Sequence, residues 1–545
     1  MGSFDLSVAR SDVDAVAGAA FSDHLASTRI FRECRNDVGP VVLIGDGRPT
    51  LILGAYDAAA LDVCQGKISS LVYGDYFAWG EADKPRIATF ADAVSLGAGS
   101  ARIAVDPMLS VARLRTLPSE ACLARDWVAN PVHAYKRSRH AIELQWSRSS
   151  AAAAREIAGF VSTLRFGPEL GEVMEGEPLG FGLLDTLMAA AGFDGLYLRD
   201  PLTCEMFTGV PACDFGDGFD GVYYGAGLDS IIVASTRPIE HDGFVPIARF
   251  ADETEFIASQ AGSGTVGIEE HGLACGLFAR FQENAIHMAD ASYVIRRWLE
   301  LRAVSDLPYY IVAANAALRA IEKATGYIEA HAAGGLTDLD VARAYRRGVD
   351  EFFTSNRITL GRSDYFEIIH TGERTLGPAV PAGQPIGAEN DTVKFDMGLL
   401  VADAFGCVRA CSDVAGTYSP LAEIRALEKD LRRQLTDDLI PAIRPGMTGD
   451  QAHTHGVEAL RLHEAAIKSA GLMPQEASVD GYRRDCGHSL QRQTFVTTTF
   501  EPNDQSTVEA GMLGCVEYVL PFGKRAFAVE EAFCVSKAKT MPFTL

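Results

Sequence analysis

TVKFDMGLLVADAFGCVRACSDVAGTY, residues 392–418, is the stretch whose reading decides the fold. Two strand-like runs flank the turn-forming DAFG, so the stretch predicts an antiparallel hairpin. Each run carries one aspartate, Asp396 and Asp413, and the hairpin would project both toward one face. Two carboxylates held together repel unless a cation compensates them. A hard divalent metal is the usual compensator, and two carboxylates can bridge two such ions. From the pair alone, a couple of ordinary hairpin acids is an equal reading.

The chain downstream shifts that balance. His488 follows Cys486-Gly487 and precedes the strand-like SLQRQTFVTTTF, where it offers a nitrogen ligand. Glu517 lies in GMLGCVEYVLPF and Glu530 in AFAVEEAFCVS, both inside apolar strand-like runs. An unpaired carboxylate is expensive to bury there, so both acids need a partner, and a metal cluster supplies one.

With these residues in place, the chain resembles the pita-bread metallopeptidases, the family of aminopeptidase P, prolidase, methionine aminopeptidase and the metal-free creatinase. VKFDMG resembles the family's first ligand strand and CSDVAGTY its second. GHSLQ is similar to its Gly-His segment, EAGMLGCVEYVLPF to its Gly-Met and Glu element, and VEEAFCVS to its final ligand strand, which selects Glu530 over Glu531. The resemblance implies a C-terminal pita-bread domain with a curved antiparallel sheet. It also implies two divalent metal ions (Mn, Fe, Co or Zn) held by Asp396, Asp413, His488, Glu517 and Glu530, with Glu517 doubling as a catalytic proton shuttle.

Three departures qualify the implied activity. Asp396 and Asp413 are 17 positions apart, wider than the family's usual spacing. An odd spacing keeps both on one face, which makes a longer hairpin the preferred reading over Asp403, at the turn, replacing one ligand. The two histidines that the family uses on substrate and on the tetrahedral intermediate are replaced by Ala379 and Phe495. His370 lies near the first of these positions and is the remaining catalytic candidate. Gly416 stands where the family often has an arginine. Arg374 and Arg492 are candidate partners of a substrate carboxylate, as are Arg484 and Lys524, against the reading of each as a solvated cation. His453 and His455, two apart on a helix, point to different faces and read as incidental.

Upstream, the order of elements repeats. VVLIGDGRPTLILGA (41–55) is matched by FDGVYYGAGLDSIIVAS (219–235), and SARIAVDPMLSVARL (100–114) by GTVGIEEHGLACGLF (264–278). A third match pairs the segment from Ala124 with the segment from Met288, a helix being expected over about Tyr135–Val161. Three matches in one order predict two creatinase N-terminal-like α/β domains, 1–165 and 166–305, before the catalytic domain at 306–545. The fold class expected is therefore α/β (α+β), with Thr337 capping a helix early in the third domain.

At 545 residues the chain is too long for one core. A hydrophobic share of 48% and a charged share of 22% are those of a globular protein without a membrane span. Eleven scattered cysteines without CxxC spacing point to a reducing, cytoplasmic setting. A net charge of −23 argues against nucleic acid as a partner. The function expected is a metal-dependent hydrolase that cleaves a C–N bond of a short peptide or small amino-acid-derived substrate through metal-bound hydroxide, as a homodimer. A non-peptidase lyase or redox enzyme on the same scaffold is the alternative, and a non-catalytic peptidase-like binding protein is the third.

Overall fold

Apolar alternation shapes the C-terminal half, and the pattern is clearest along one strand. In the computed structural model, Val393, Phe395, Met397, Leu399 and Val401 are all buried and pack toward the helix Leu307–His331. Each such side chain contributes on the order of 1.5–3 kcal/mol when fully buried. The intervening positions, Asp396 among them, take the opposite face. A one-residue slip in register would drive Asp396 into the core, so the apolar pattern also fixes where the acid points.

The structure describes residues 6–10, 41–44, 50–54, 69–73, 89–98, 103–105, 115, 122–123, 133–162, 180–210, 221–227, 230–235, 250–301, 306–331, 334–376, 381–387, 391–491, 497–522 and 525–544. Among them the strands form four sheets. β1 (Leu6–Arg10), β2 (Val41–Ile44), β3 (Thr50–Gly54), β4 (Ser69–Tyr73), β5 (Ile103–Val105) and β6 (Cys122–Leu123) lie in the order β4-β3-β2-β1-β5-β6. β7 (His133–Ser138), β8 (Gly195–Leu198), β9 (Gly221–Gly225), β10 (Ser230–Ser235), β11 (Thr265–Ile268) and β12 (His287–Asp290) lie in the order β12-β11-β8-β9-β10-β7.

Five strands correspond in order and direction between these two sheets. β1–β2 and β2–β3 are antiparallel like β8–β9 and β9–β10, and β1–β5 and β5–β6 are parallel like β8–β11 and β11–β12. The outermost strand differs: β4 runs parallel to β3, whereas β7 runs antiparallel to β10. β7 precedes position 165 in the chain yet hydrogen-bonds within the second sheet. It also corrects the helix expected from Tyr135, because Tyr135–Ser138 are strand and the helix is Arg139–Glu156. The segment LRFGPELGEVMEGEPLG (164–180), whose Gly, Pro and Glu content predicts a linker, lies outside the described residues up to position 179.

The third sheet contains β13 (Gly361–Thr371), β14 (Val393–Ala402), β15 (Val408–Cys411) and β16 (Val414–Tyr418), with β14 at its centre. The fourth contains β17 (Gly487–Ser489), β18 (Leu513–Phe522), β19 (Arg525–Val535) and β20 (Thr540–Pro542), in that order. Thr417 of β16 and Thr375 of the 3₁₀ turn Gly372–Leu376 both bond to β19. Thr417 Oγ1 donates to the Ala528 carbonyl at 2.9 Å and accepts from its N–H at 2.8 Å. Thr375 Oγ1 accepts from the Ala526 N–H at 2.7 Å.

The helix Asp338–Ser355 starts at Thr337, as its sequence predicts. Thr337 Oγ1 accepts from the Asp340 N–H, and the Asp340 carboxylate accepts from the Thr337 N–H at 3.0 Å. A cap of this kind is worth about 1 kcal/mol. No helix among the described residues is long and apolar enough to cross a membrane.

Candidate metal centre

The wide aspartate spacing has a direct structural cause. β14 runs on past Asp396 to Ala402, turns over residues 403–407, and returns first as β15 and then as β16. The extra residues extend the hairpin away from the site. Register then brings Ala415 opposite Asp396, with Asp413 two residues earlier. Asp403 stays at the turn, where its carboxylate meets Arg409 Nη1 at 3.1 Å and accepts from Ser149 Oγ at 2.8 Å.

On the facing sheet the same alternation operates. Glu517 of β18 lies directly opposite Glu530 of β19, and Cys515 opposite Ala532. Cys515 and Glu517 are two apart and share one face, while Val516, Tyr518 and Leu520 pack into the core behind. Ala528 and Ala532 flank Glu530 on its own face. Glu531 alternates away and pairs with Arg432 and Thr544. Arg432, from the helix Ala422–Gln434, also passes over Gly416 to donate to the Ala415 carbonyl.

His488 on β17 pairs in register with Cys515. Its Nδ1 lies 2.9 Å from the Ser489 carbonyl, which can only accept, so the proton sits on Nδ1. In the neutral ring Nε2 then carries the lone pair, and it lies 3.6 Å from Asp413 Oδ2 and 3.5 Å from Cys515 Sγ. Backbone fixing of the tautomer is a common way to present an imidazole to a metal. Asp413, His488, Cys515 and Glu530 each bring one ligand atom into a group whose members all lie within 4.8 Å of one another.

Three of the five expected ligands are thus gathered with a fourth donor, Cys515, that the sequence reading did not single out. Asp396 and Glu517 fall outside this set of four but act on each other electrostatically. Oxygen, nitrogen and sulfur donors together suit Zn, Co or Fe, and the residues present fit a divalent ion. Burial first, then the neighbouring carboxylates, push the Cys515 thiol well above its ordinary range. Burial pushes the Glu517 carboxyl up to about 7, against the pull of Arg484, whose Nη2 lies 3.5 Å from Oε2.

Gly487 holds this arrangement through its backbone. Its φ of +138° lies in a region that side chains avoid, and an added Cβ would sit 2.1 Å from the Cys515 carbonyl oxygen. Gly487→Ala is expected to cost on the order of 1–3 kcal/mol and to displace His488, lowering metal affinity as well as stability. A chemical denaturation midpoint and a metal titration unchanged from wild type would contradict that role.

The other candidates are placed differently. His370 is fully buried on β13, opposite Lys394 and on the Asp396 face of the sheet. Arg374 lies in the 3₁₀ turn Gly372–Leu376 and stabilises the Asp338 carboxylate by its charge. Arg484 is not a solvated surface cation: its side chain is 9% exposed and faces Glu517. His453 is buried and His455 exposed on one helix, as their spacing predicts. Arg492, Ala379, Phe495 and Lys524 lie outside the described residues.

Residues 310–537 match the model of a family described as metallopeptidase family M24. No curated protein matches the chain. Among solved structures, the chain is similar to prolidase from Pyrococcus furiosus, at 16% identity and a TM-score of 0.45, covering 66% of this chain and 98% of that one. It is similar to X-Pro aminopeptidase from Thermotoga maritima at 14% identity and 0.48, covering 66% and 96%. It is also similar to the N-terminal domain of the FACT complex subunit SPT16 from chickpea, Cicer arietinum, at 13% identity and 0.50, covering 69% and 96%. At these identities the likeness concerns the fold alone.

Proposed function

We propose, because residues 310–537 match the model of metallopeptidase family M24, that this protein is a metal-dependent hydrolase cleaving a C–N bond of a short peptide or small amino-acid-derived substrate. The observation that carries the proposal is the convergence of Asp413, His488 and Glu530 on one point between two sheets. Asp396 and Glu517 complete the proposed ligand set, so that two divalent ions are held by five side chains. When bound, such ions polarise the scissile carbonyl and acidify a water molecule.

The chain's own groups then do the rest. Glu517 takes a proton from the attacking water onto Oε2 and delivers it to the leaving nitrogen. Arg484, held beside Glu517, is the arginine proposed to meet a substrate carboxylate or a developing oxyanion, with Arg374 as the other candidate. The roles proposed for Arg492 and for His370 follow from the sequence; with His370 fully buried, its part is to support the Asp396 face rather than to touch substrate.

A second reading has its own observation. Ala379 and Phe495 stand where peptidases of the resembling family carry histidines, and a non-peptidase metalloenzyme on the same scaffold would dispense with them. Turnover of Xaa-Pro dipeptides by the metal-loaded full chain supports hydrolysis, and full metal occupancy without any turnover of the panel favours the second reading. For the site itself, Asp413→Ala is expected to reduce bound metal to less than about a tenth of wild type at limiting metal. Mass-spectrometric metal analysis showing unchanged occupancy would remove Asp413 from the ligand set.

A further inference from the structure

Among the donors gathered between the two sheets, Cys515 has no part in the hydrolase proposal, yet its geometry is that of a ligand. It is one of four side chains whose donor atoms lie mutually within 4.8 Å. Its sulfur is 3.5 Å from His488 Nε2, the nitrogen left with a free lone pair. Two atoms bound to one tetrahedral zinc, with a Zn–S bond of about 2.3 Å and a Zn–N bond of about 2.0 Å, stand about 3.5 Å apart. The sulfur and the nitrogen already hold that separation, and Asp413 Oδ2 holds a similar one at 3.6 Å from the same nitrogen.

Register explains why the sulfur is there. Cys515 pairs with His488 on one side and with Ala532 on the other, and it shares its face with Glu517. A larger residue than alanine at 532 would compete with the thiol for the space beside Glu530. Without metal, the S–H has the Glu530 carboxylate, His488 Nε2 and the His488 carbonyl as acceptors.

We propose that Cys515 is itself a metal ligand, its thiolate joining Asp413, His488 and Glu530 around one ion and tuning that site toward Zn, Co or Fe and away from Mn. The inference rests on the metal-binding part of the hydrolase reading. On binding, the S–H bond breaks, the proton leaves to solvent, and the sulfur lone pair it frees forms the bond to the ion. Soft thiolate donors favour the borderline ions over the hard ones, which is the source of the selectivity.

The test uses cobalt(II) loaded into the full chain. A near-ultraviolet thiolate-to-cobalt charge-transfer band is expected in stoichiometric proportion to bound cobalt, and expected to vanish in Cys515→Ser while cobalt stays bound. Zinc affinity in that variant should fall by about 10- to 100-fold, with manganese affinity little changed. Cobalt bound to wild type without the band overturns the thiolate ligand and leaves the hydrolase reading standing. No cobalt bound at all overturns both. A band retained in Cys515→Ser assigns it to another thiol and overturns the proposal. The wild-type spectrum decides the matter even if that variant fails to fold, and Cys515→Ala provides a second comparison.

Discussion

Glu517→Gln is expected to lower kcat/KM by about 10²- to 10⁴-fold, the range for loss of a group that moves a proton in the transition state. The substitution keeps the shape and removes the basic oxygen. Asp413, His488 and Glu530 remain in place, so metal content should fall far less than turnover. Stability should move the other way. The folded carboxyl, pushed up to about 7 by burial, lies above its unfolded value near 4.5. Its contribution is therefore fully present below that unfolded value and lost as pH rises through about 7. Metal-free Glu517→Gln should accordingly be at least as stable as wild type at pH 8. Equal turnover in the two proteins at matched metal occupancy would strip Glu517 of the proton-shuttle role.

Arg409→Met is expected to destabilise the protein by about 3–5 kcal/mol, the usual cost of removing one partner from a buried ionic group. Arg409 and Asp306 are almost fully buried, and the Asp403 side chain is equally enclosed. Arg409 Nε lies 2.8 Å from Asp306 Oδ1, Nη1 3.1 Å from Asp403 Oδ2, and Nη2 3.1 Å from Ser150 Oγ. The guanidinium also lies over the Tyr309 ring, 5.1 Å from its centroid. One side chain thus ties the β14–β15 turn to the helix Arg139–Glu156 and to the start of the helix Leu307–His331. Methionine fills the volume but leaves two buried carboxylates without their cation. Replacing Asp306 and Asp403 by Asn in the same protein should recover much of the loss. A urea midpoint implying a loss below about 1 kcal/mol would show that water or rearrangement compensates both acids.

What the sequence makes legible follows the period of its strands. Alternation along 392–402 is enough to put Asp396 on the face away from the core, whereas Leu513–Phe522 and Arg525–Val535 are apolar on both faces, so that the choice of Glu530 over Glu531 comes from the family resemblance. The DAFG turn is likewise written in local residues, and it keeps Asp403 out of the ligand cluster. The strand–turn–strand segments at 41–54 and 221–235 pair as their pattern predicts. What stays hidden is what depends on distant partners. Tyr135–Ser138 reads as the start of the Ala-rich helix that follows it, and only pairing with β10 makes it a strand. Cys515 reads as one of eleven scattered buried thiols, although its place two residues before Glu517 puts it on the same face. Arg484 reads as a surface cation because nothing local announces that Glu517 will close over it.

Asp413, His488 and Glu530 are proposed to converge on a divalent ion. Anomalous diffraction from crystals of the full chain, collected at the absorption edge of the bound metal, tests this most directly. A peak within about 2.5 Å of His488 Nε2 and of carboxylate oxygens from Asp413 and Glu530 is the result predicted. No peak between these residues in crystals grown with excess Mn, Fe, Co and Zn, or a peak held only by other side chains, would contradict it.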